Sequence, residues 1–315
     1  MSRDEISLGS GAEFDAIRAL LERWGSRAVG IGDDAAVLDV PRGDQMVVSV
    51  DSAVEHVHFE REWLSPREIG YRAVAAALSD LAAMASRPLG FVLALTLPVA
   101  WRDALLEIAD GVADAADMAG APIRGGNMSD GSELTITTTV FGTAYAPLRR
   151  SGAQRGDRVY VTGRLGGPAR ALRRLMRGEP AGAFRDRFAN PIPRLAEARW
   201  LAEQGASAGI DVSDGLVADL GHLAAASGVD IALEADRVPR CSGVELSDAI
   251  ASGEEYELLV TSSDALDVTA FEARFGLPLT EIGVVTAAAS AGKRGAVQLR
   301  GARVANAQGY DHFSR

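Results

Sequence analysis

Runs of β-rich residues of strand length alternate with segments of helical apolar period along this chain, and that alternation confines the fold to α/β or α+β. Met46 to Asp51, Phe91 to Leu97 and Leu134 to Gly142 read as strands, the last alternating threonine with apolar residues as a half-buried strand does. Ahead of them, Phe14, Ile17, Leu20, Leu21 and Trp24 share one face of a helix predicted from Glu13 to Trp24. Ser65, Pro66 and Glu68 form a capping box with proline at the first helical position, which predicts a helix running to about Ser86. Another helix, Trp101 to Met118, should close at Gly120. The alternation resumes after Ala146-Pro147. Strands are predicted near Arg158 to Thr162, Tyr256 to Thr261 and Glu281 to Val285, with helices near Leu165 to Arg177, Pro193 to Gln204, Asp214 to Ser227 and Leu266 to Phe275. At 315 residues the chain exceeds the usual size of one domain, so we divide it near residue 148 into an N-terminal domain, 1–148, and a C-terminal domain, 149–315.

Charge and cysteine usage narrow the function classes. The formal net charge is −11 and no long Lys/Arg run occurs, so the electrostatic footprint of a nucleic-acid binder is missing. No stretch approaches about 18 consecutive apolar residues, and Met1 to Ser10 is polar where a secretory signal would need an apolar core. The expected address is the cytoplasm, with no membrane partner. A single cysteine, Cys241, excludes an internal disulfide, and four scattered histidines argue against structural zinc. Oxygen is the expected ligand atom of any metal.

The strongest chemical signal is a set of aspartates beside glycine or serine at the ends of predicted elements. Asp33 and Asp34 follow Gly30-Ile31-Gly32, Asp51 ends a strand, Asp80 lies on an apolar helix, and Asp211 and Asp214 bracket Val212-Ser213 before Gly215. Hard carboxylate ligands suit Mg²⁺, which keeps several waters and bridges a few carboxylates to substrate phosphates. Taken singly, Gly-Asp-Asp is more often an Asx turn and Ser213-Asp214 more often a plain helix N-cap. Asp80 stands apart, because a carboxylate on an apolar helix is costly unless paired or metal-bound.

Arg124-Gly125-Gly126-Asn127 can bring backbone N–H groups close to a phosphate or a nucleobase, although a Gly-Gly pair also suits an ordinary loop. Gly163, Gly166 and Gly167 read rather as a strand-to-helix turn. His56 and His58 follow the Asp51 strand, where a histidine can touch a substrate phosphate or simply sit half-exposed. Glu254, within Ser252 to Glu257, is placed to meet an amine or a cationic ring, and a solvated acidic turn is the commoner reading of such a run. Gly309 to Phe313 is aromatic and should dock. No P-loop, Rossmann glycine motif, protein-kinase set or Gly-x-Ser-x-Gly elbow is present, so a nucleotide site here must be of another design.

In this order, the segments resemble the thiamine-monophosphate kinases of the aminoimidazole ribonucleotide synthetase-like superfamily. The resemblance covers nearly the whole chain, including Gly30 to Ala36, Asp51 with His58-Phe59, Leu78 to Met84, Gly125-Gly126, Arg150 to Ala153, Asp211 to Gly221, Gly253 to Leu258 and Gly309 to Phe313. It implies a homodimer of two-domain α/β chains whose N-terminal sheets pair across the dimer, the N-terminal domain binding ATP and Mg²⁺. ATP would be the co-substrate and thiamine monophosphate the acceptor, with direct in-line γ-phosphoryl transfer and no protein acid, base or nucleophile. By motif, several Mg²⁺ ions would lie on Asp33, Ser49, Asp51, Asp80, Asn127, Asp211 and Asp214. Gly125, Gly126, Arg150 and Ser213 would contact ATP, while His58, Glu254 and Tyr310 would face the thiamine phosphate. Two departures bear on one expected metal position: Asn127 stands where the family often has aspartate, and Val50 where threonine is common. Gly253-Glu254-Glu255 replaces the usual Gly-Glu-Asp. Cys241 matches neither the N-terminal cysteine of selenophosphate synthetases nor the C-terminal cysteine of the carbamoyl dehydratases. A non-catalytic nucleotide-binding homologue, or an enzyme of another phosphorylated acceptor, is the alternative.

Overall fold

The computed structural model describes residues 12–31, 35–288 and 295–302. The chain divides into two compact units, one of residues 1–81 and 87–145, the other of residues 82–86 and 146–315. No helix among the described residues is long and apolar enough to cross a membrane.

In the first unit, strands β1 (Gln45–Val54), β2 (Arg87–Thr96), β3 (Ile123–Ser129) and β4 (Thr135–Ala144) form a sheet of order β1-β4-β2-β3. β4 runs antiparallel to both β1 and β2, and β2 and β3 are parallel. Helices α1 (Ala12–Trp24), α2 (Pro66–Ala83) and α3 (Leu105–Ala119) accompany it. The capping box forms as predicted: the Ser65 N–H donates to Glu68 Oε2 at 2.8 Å and the Glu68 N–H to Ser65 Oγ at 3.3 Å. Gly120, left-handed at φ 60°, ends α3. α2 and α3 touch backbone to backbone, because a Cβ on Gly70 would collide with the Ile108 carbonyl and one on Gly111 with the Arg67 carbonyl. Ile136, Thr138 and Val140 are buried, and the Thr138 hydroxyl donates to the Ala73 carbonyl of α2 at 3.2 Å. On β1, by contrast, Met46, Val48 and Val50 are exposed.

Three local readings need correction. β1 does not stop at Asp51; pairing continues through Ser52↔Thr137 to Val54↔Thr135, so Asp51 lies inside the strand. Residues 124–127 form no loop but belong to β3, a strand that low glycine β-propensity conceals. The helix predicted from Trp101 starts as a 3₁₀ turn, Val99–Ala104, and becomes α-helical at Leu105. That turn buries Trp101, whose indole N–H donates to Glu55 Oε2 at 2.9 Å.

The second unit is built on β5 (Arg158–Thr162), β6 (Ala206–Asp211), β7 (Val229–Glu234), β8 (Leu258–Ser262), β9 (Leu279–Ala288) and β10 (Val297–Arg300), in the order β10-β7-β9-β5-β8-β6. Among the described strands of this sheet, only the β10–β7 pair is parallel. Helices α4 (Gly167–Met176), α5 (Arg185–Ala189), α6 (Leu195–Glu203), α7 (Leu216–Ser227), α8 (Leu246–Ile250) and α9 (Val268–Phe275) complete it. Val159, Ile210, Leu220, Leu259 and Ile282 lie in one apolar core, which anchors the end of β6 and the start of α7.

Candidate active site

In the first unit, β1 and α2 bring two of the predicted metal ligands together. Ser49 Oγ donates to Asp80 Oδ2 at 2.5 Å. Asp80 is half-buried rather than enclosed, so its apolar helix does not isolate it from water. Strand alternation puts Asp51 on the same side of β1 as Ser49 and Val50 on the other, where Val50 is 61% exposed. Asp51 is exposed and accepts the Ser52 N–H at 2.7 Å.

The sheet order separates what the sequence grouped. Asn127, with Gly125 and Gly126, lies on β3, at the edge opposite β1. Three strand spacings, roughly 14 Å, therefore part Asn127 from Ser49 and Asp51 within one chain. Val50 and Asn127 do not share a position in this unit. Gly126 is required by close approach, since a Cβ there would run into the Leu93 carbonyl of β2.

His58 ends a tight turn in which its own N–H donates to the Val54 carbonyl at 2.9 Å. The Val54 N–H donates to His58 Nδ1 at 3.1 Å, which fixes the neutral ring as the Nε2–H tautomer. His56, exposed at φ 65°, is paired with Glu60 at 2.7 Å, and that hydrogen bond raises its pKa.

In the second unit Asp211, Ser213 and Asp214 fall at the β6–α7 turn. Asp211 is buried at the end of β6. Neither Ser213 nor Asp214 caps α7, which begins at Leu216 with Gly215 before it at φ 136°. The cap comes from inside the helix: Asp219 Oδ2 accepts the N–H groups of Ser213, Asp214 and Gly215 at 3.0, 3.1 and 3.0 Å. Burial raises the Asp219 carboxyl to about 7, with the Gly215 and Asp214 amides opposing and the Asp211 and Asp214 charges adding to the rise. Sequence reasoning missed Asp219; an acid on an apolar helix, the signal that singled out Asp80, was available for it too. Asp214, Asp219 and the exposed His222 bring one ligand atom each within 4.8 Å of the others.

The 252–257 segment is stitched to this turn. The Glu254 N–H donates to the Ser213 carbonyl at 2.8 Å, the Tyr256 N–H to Val212 at 2.9 Å, and the Val212 N–H to Glu257 at 2.8 Å. The run is no solvated acidic turn, because Glu255 and Glu257 are buried. Glu257 accepts Arg194 Nε and Nη2 at 3.0 and 2.7 Å and the Thr162 hydroxyl at 2.7 Å. Glu255 accepts the Gly166 N–H at 2.5 Å and Arg187 at 3.1 Å. Burial lifts the Glu255 carboxyl to about 7, while Arg187 and the Ser252 hydroxyl pull it down. The glycines at 163 and 166 thus serve these carboxylates: Glu257 fills the space a Cβ on Gly163 would take. Arg150 is exposed in a 3₁₀ turn, and its carbonyl accepts the Ser227 hydroxyl at 2.6 Å, at the far end of α7 from Ser213. Asp33 and Tyr310 lie outside the described residues.

Comparison with known proteins gives this arrangement a lineage. The "AIR synthase related protein, N-terminal domain" model matches residues 32–144 and the corresponding C-terminal domain model residues 154–294. The thiamine-monophosphate kinase of Salmonella typhimurium is 36% identical over 304 residues, spanning 87% of this chain and 90% of that protein. The crystal structure of thiamine-monophosphate kinase from Stenotrophomonas maltophilia superposes with a TM-score of 0.80 at 34% identity, over 89% of this chain and 96% of that one. AaThiL complexed with AMPPCP and TMP superposes with a TM-score of 0.76 at 26% identity, over 98% and 100%. Two AIR synthase related domains in tandem and this extent of identity establish that the chain is an enzyme of the thiamine-monophosphate kinase family.

Proposed function

We propose that this chain transfers the γ-phosphoryl group of ATP directly to the phosphate of thiamine monophosphate, giving thiamine diphosphate and ADP. The observation that carries the reading is the 2.8 Å hydrogen bond from the Glu254 N–H to the Ser213 carbonyl. It fixes side by side two segments to which the family resemblance gives opposite tasks, Ser213 for the nucleotide and Glu254 for the acceptor. A phosphate oxygen of the acceptor attacks phosphorus, the bond to the ADP oxygen breaks, and no protein nucleophile is required. His58, held as the Nε2–H tautomer, suits hydrogen bonding to a phosphate, and Glu254 suits a cationic ring.

Each unit offers a donor set that fits Mg²⁺. Ser49 and Asp80 present hard oxygens 2.5 Å apart, with Asp51 on the same side of β1, and Asp211 and Asp214 bracket the β6–α7 turn. When bound there, Mg²⁺ supplies neutralisation of phosphate charge. Asn127 contributes an amide oxygen in place of a carboxylate. A homodimer joined through the N-terminal sheets belongs to the same reading. Its support is the exposed apolar row Met46, Val48 and Val50 on edge strand β1, and the placement of Asp51 and Asn127 on opposite edges.

The test is a coupled assay with purified protein, ATP, Mg²⁺ and thiamine monophosphate, with Asp80→Asn as control. Thiamine diphosphate formed by the natural chain and not by the variant is the expected result. Tight nucleotide binding without product would favour another acceptor or the non-catalytic homologue.

A further inference from the structure

The 252–257 segment contains two left-handed residues that are not glycine, Glu254 at φ 62° and Tyr256 at φ 52°. Such a conformation is uncommon for glutamate and an outlier for a bulky aromatic, and it persists only where the surroundings hold it. Here the surroundings are in view. The N–H groups of both residues donate to the 212–213 backbone, and Gly253 packs so closely that a Cβ there would come within 2.6 Å of the Ser213 carbonyl. The intervening Glu255 is turned inward onto Arg187 and the Gly166 N–H, and Glu257 onto Arg194. With the acids at 255 and 257 drawn into the interior, the Tyr256 hydroxyl donates to Glu254 Oε2 at 2.7 Å.

The geometry points to Tyr256 as a positioning residue that sets acceptor recognition by aiming the Glu254 carboxylate, resting on the reading of Glu254 as the residue facing the cationic part of the acceptor. Tyr256 touches no reacting atom; it acts through Glu254. The hydroxyl holds one carboxylate oxygen and so sets the direction of the other, and a cation meets a preset acceptor.

Three variants of the full chain test this: Tyr256→Phe, Glu254→Gln and the two combined. Tyr256→Phe should raise the KM for thiamine monophosphate about tenfold, the scale of one hydrogen bond to a charged group, while the KM for ATP moves less than about twofold. The combined variant should be no worse than Glu254→Gln alone, because Tyr256 acts only through the carboxylate charge that Glu254→Gln has already removed. An unchanged acceptor KM, equal shifts in both KM values, or multiplied losses in the combined variant would overturn the assignment. A second readout needs no turnover. In protein carrying ¹³C-labelled glutamate, the Glu254 Cδ resonance, identified by its disappearance in Glu254→Gln, should move in Tyr256→Phe. If the natural chain makes no thiamine diphosphate, the functional reading fails by itself, and this resonance still decides. A signal that stays put sinks the positioning role, and one that moves supports it.

Discussion

At pH 4, where the carboxyl raised to about 7 keeps its proton in the folded chain and no buried charge enters, replacing Asp219 by alanine should destabilise the chain by about 3 kcal/mol, and the structure shows where that figure comes from. One carboxylate oxygen accepts three successive amides at 3.0 to 3.1 Å. Loss of the cap costs about 1 kcal/mol. The Gly215 amide is buried, so leaving it unpaired adds about 2 kcal/mol, whereas the Ser213 and Asp214 amides are half-buried and can turn to water. At roughly 2–4 °C per kcal/mol for a unit of this size, the melting transition of the second unit should fall by about 6–12 °C. Asp219→Asn keeps one carbonyl oxygen and should cost about 1 kcal/mol. Scanning calorimetry on the three proteins measures this directly. An alanine variant within about 1 kcal/mol of the natural chain, or an asparagine variant as damaged as the alanine one, would refute the view that the acceptor oxygen holds the turn.

Other outcomes follow from the same structure. The Glu255 carboxyl is raised from 4.5 to about 7, so between those values the folded chain keeps a proton that the unfolded chain has released. Its stabilising contribution is present below that window and is lost as pH rises through it, by up to about 3 kcal/mol, so Glu255→Gln should gain on the natural chain between pH 5 and pH 8 in urea unfolding. Gly111→Ala should cost about 3 kcal/mol or more, since the new methyl meets the Arg67 backbone and the helix-propensity gain of about 1 kcal/mol cannot offset that; a melting temperature at or above the natural one would contradict the packing. Asn127→Asp should lower the Mg²⁺ concentration for half-maximal activity severalfold, and a titration that superposes on the natural chain's would show that the missing charge at 127 does not limit occupancy.

What the sequence revealed was mostly local. Ser65 and Glu68 are three residues apart, so their reciprocal cap is written in adjacent letters, and the Asp211-Val212-Ser213-Asp214 run announces itself in the same way. The pairing of Glu255 with Arg187 and of Glu257 with Arg194 spans 68 and 63 residues, a distance over which no spacing rule operates. Asp219 carries the same signal as Asp80, an acid on an apolar helix, but which amides it serves appears only when α7 turns it back onto residues 213–215. Strand order was the deepest concealment: each of Val50 and Asn127 is visible as a departure, but only the β1-β4-β2-β3 order shows that they occupy opposite edges. The glycine pair at 125–126 looks like a loop because it gives up side-chain packing, and it is a strand because β2 lies against it.

The glycine crossing of α2 and α3 limits which substitutions this unit can accumulate. Gly70 and Gly111 each face a carbonyl of the other helix, so neither can gain a methyl until the helix axes separate. Separation would lift α3 and loosen Ile108 and Val112, both now buried, so a first step at either glycine loses core packing before any second change can restore it. The two positions are locked together across the 40 residues between them, and replacing a helical glycine with alanine, ordinarily a safe stabilising move, is closed at both.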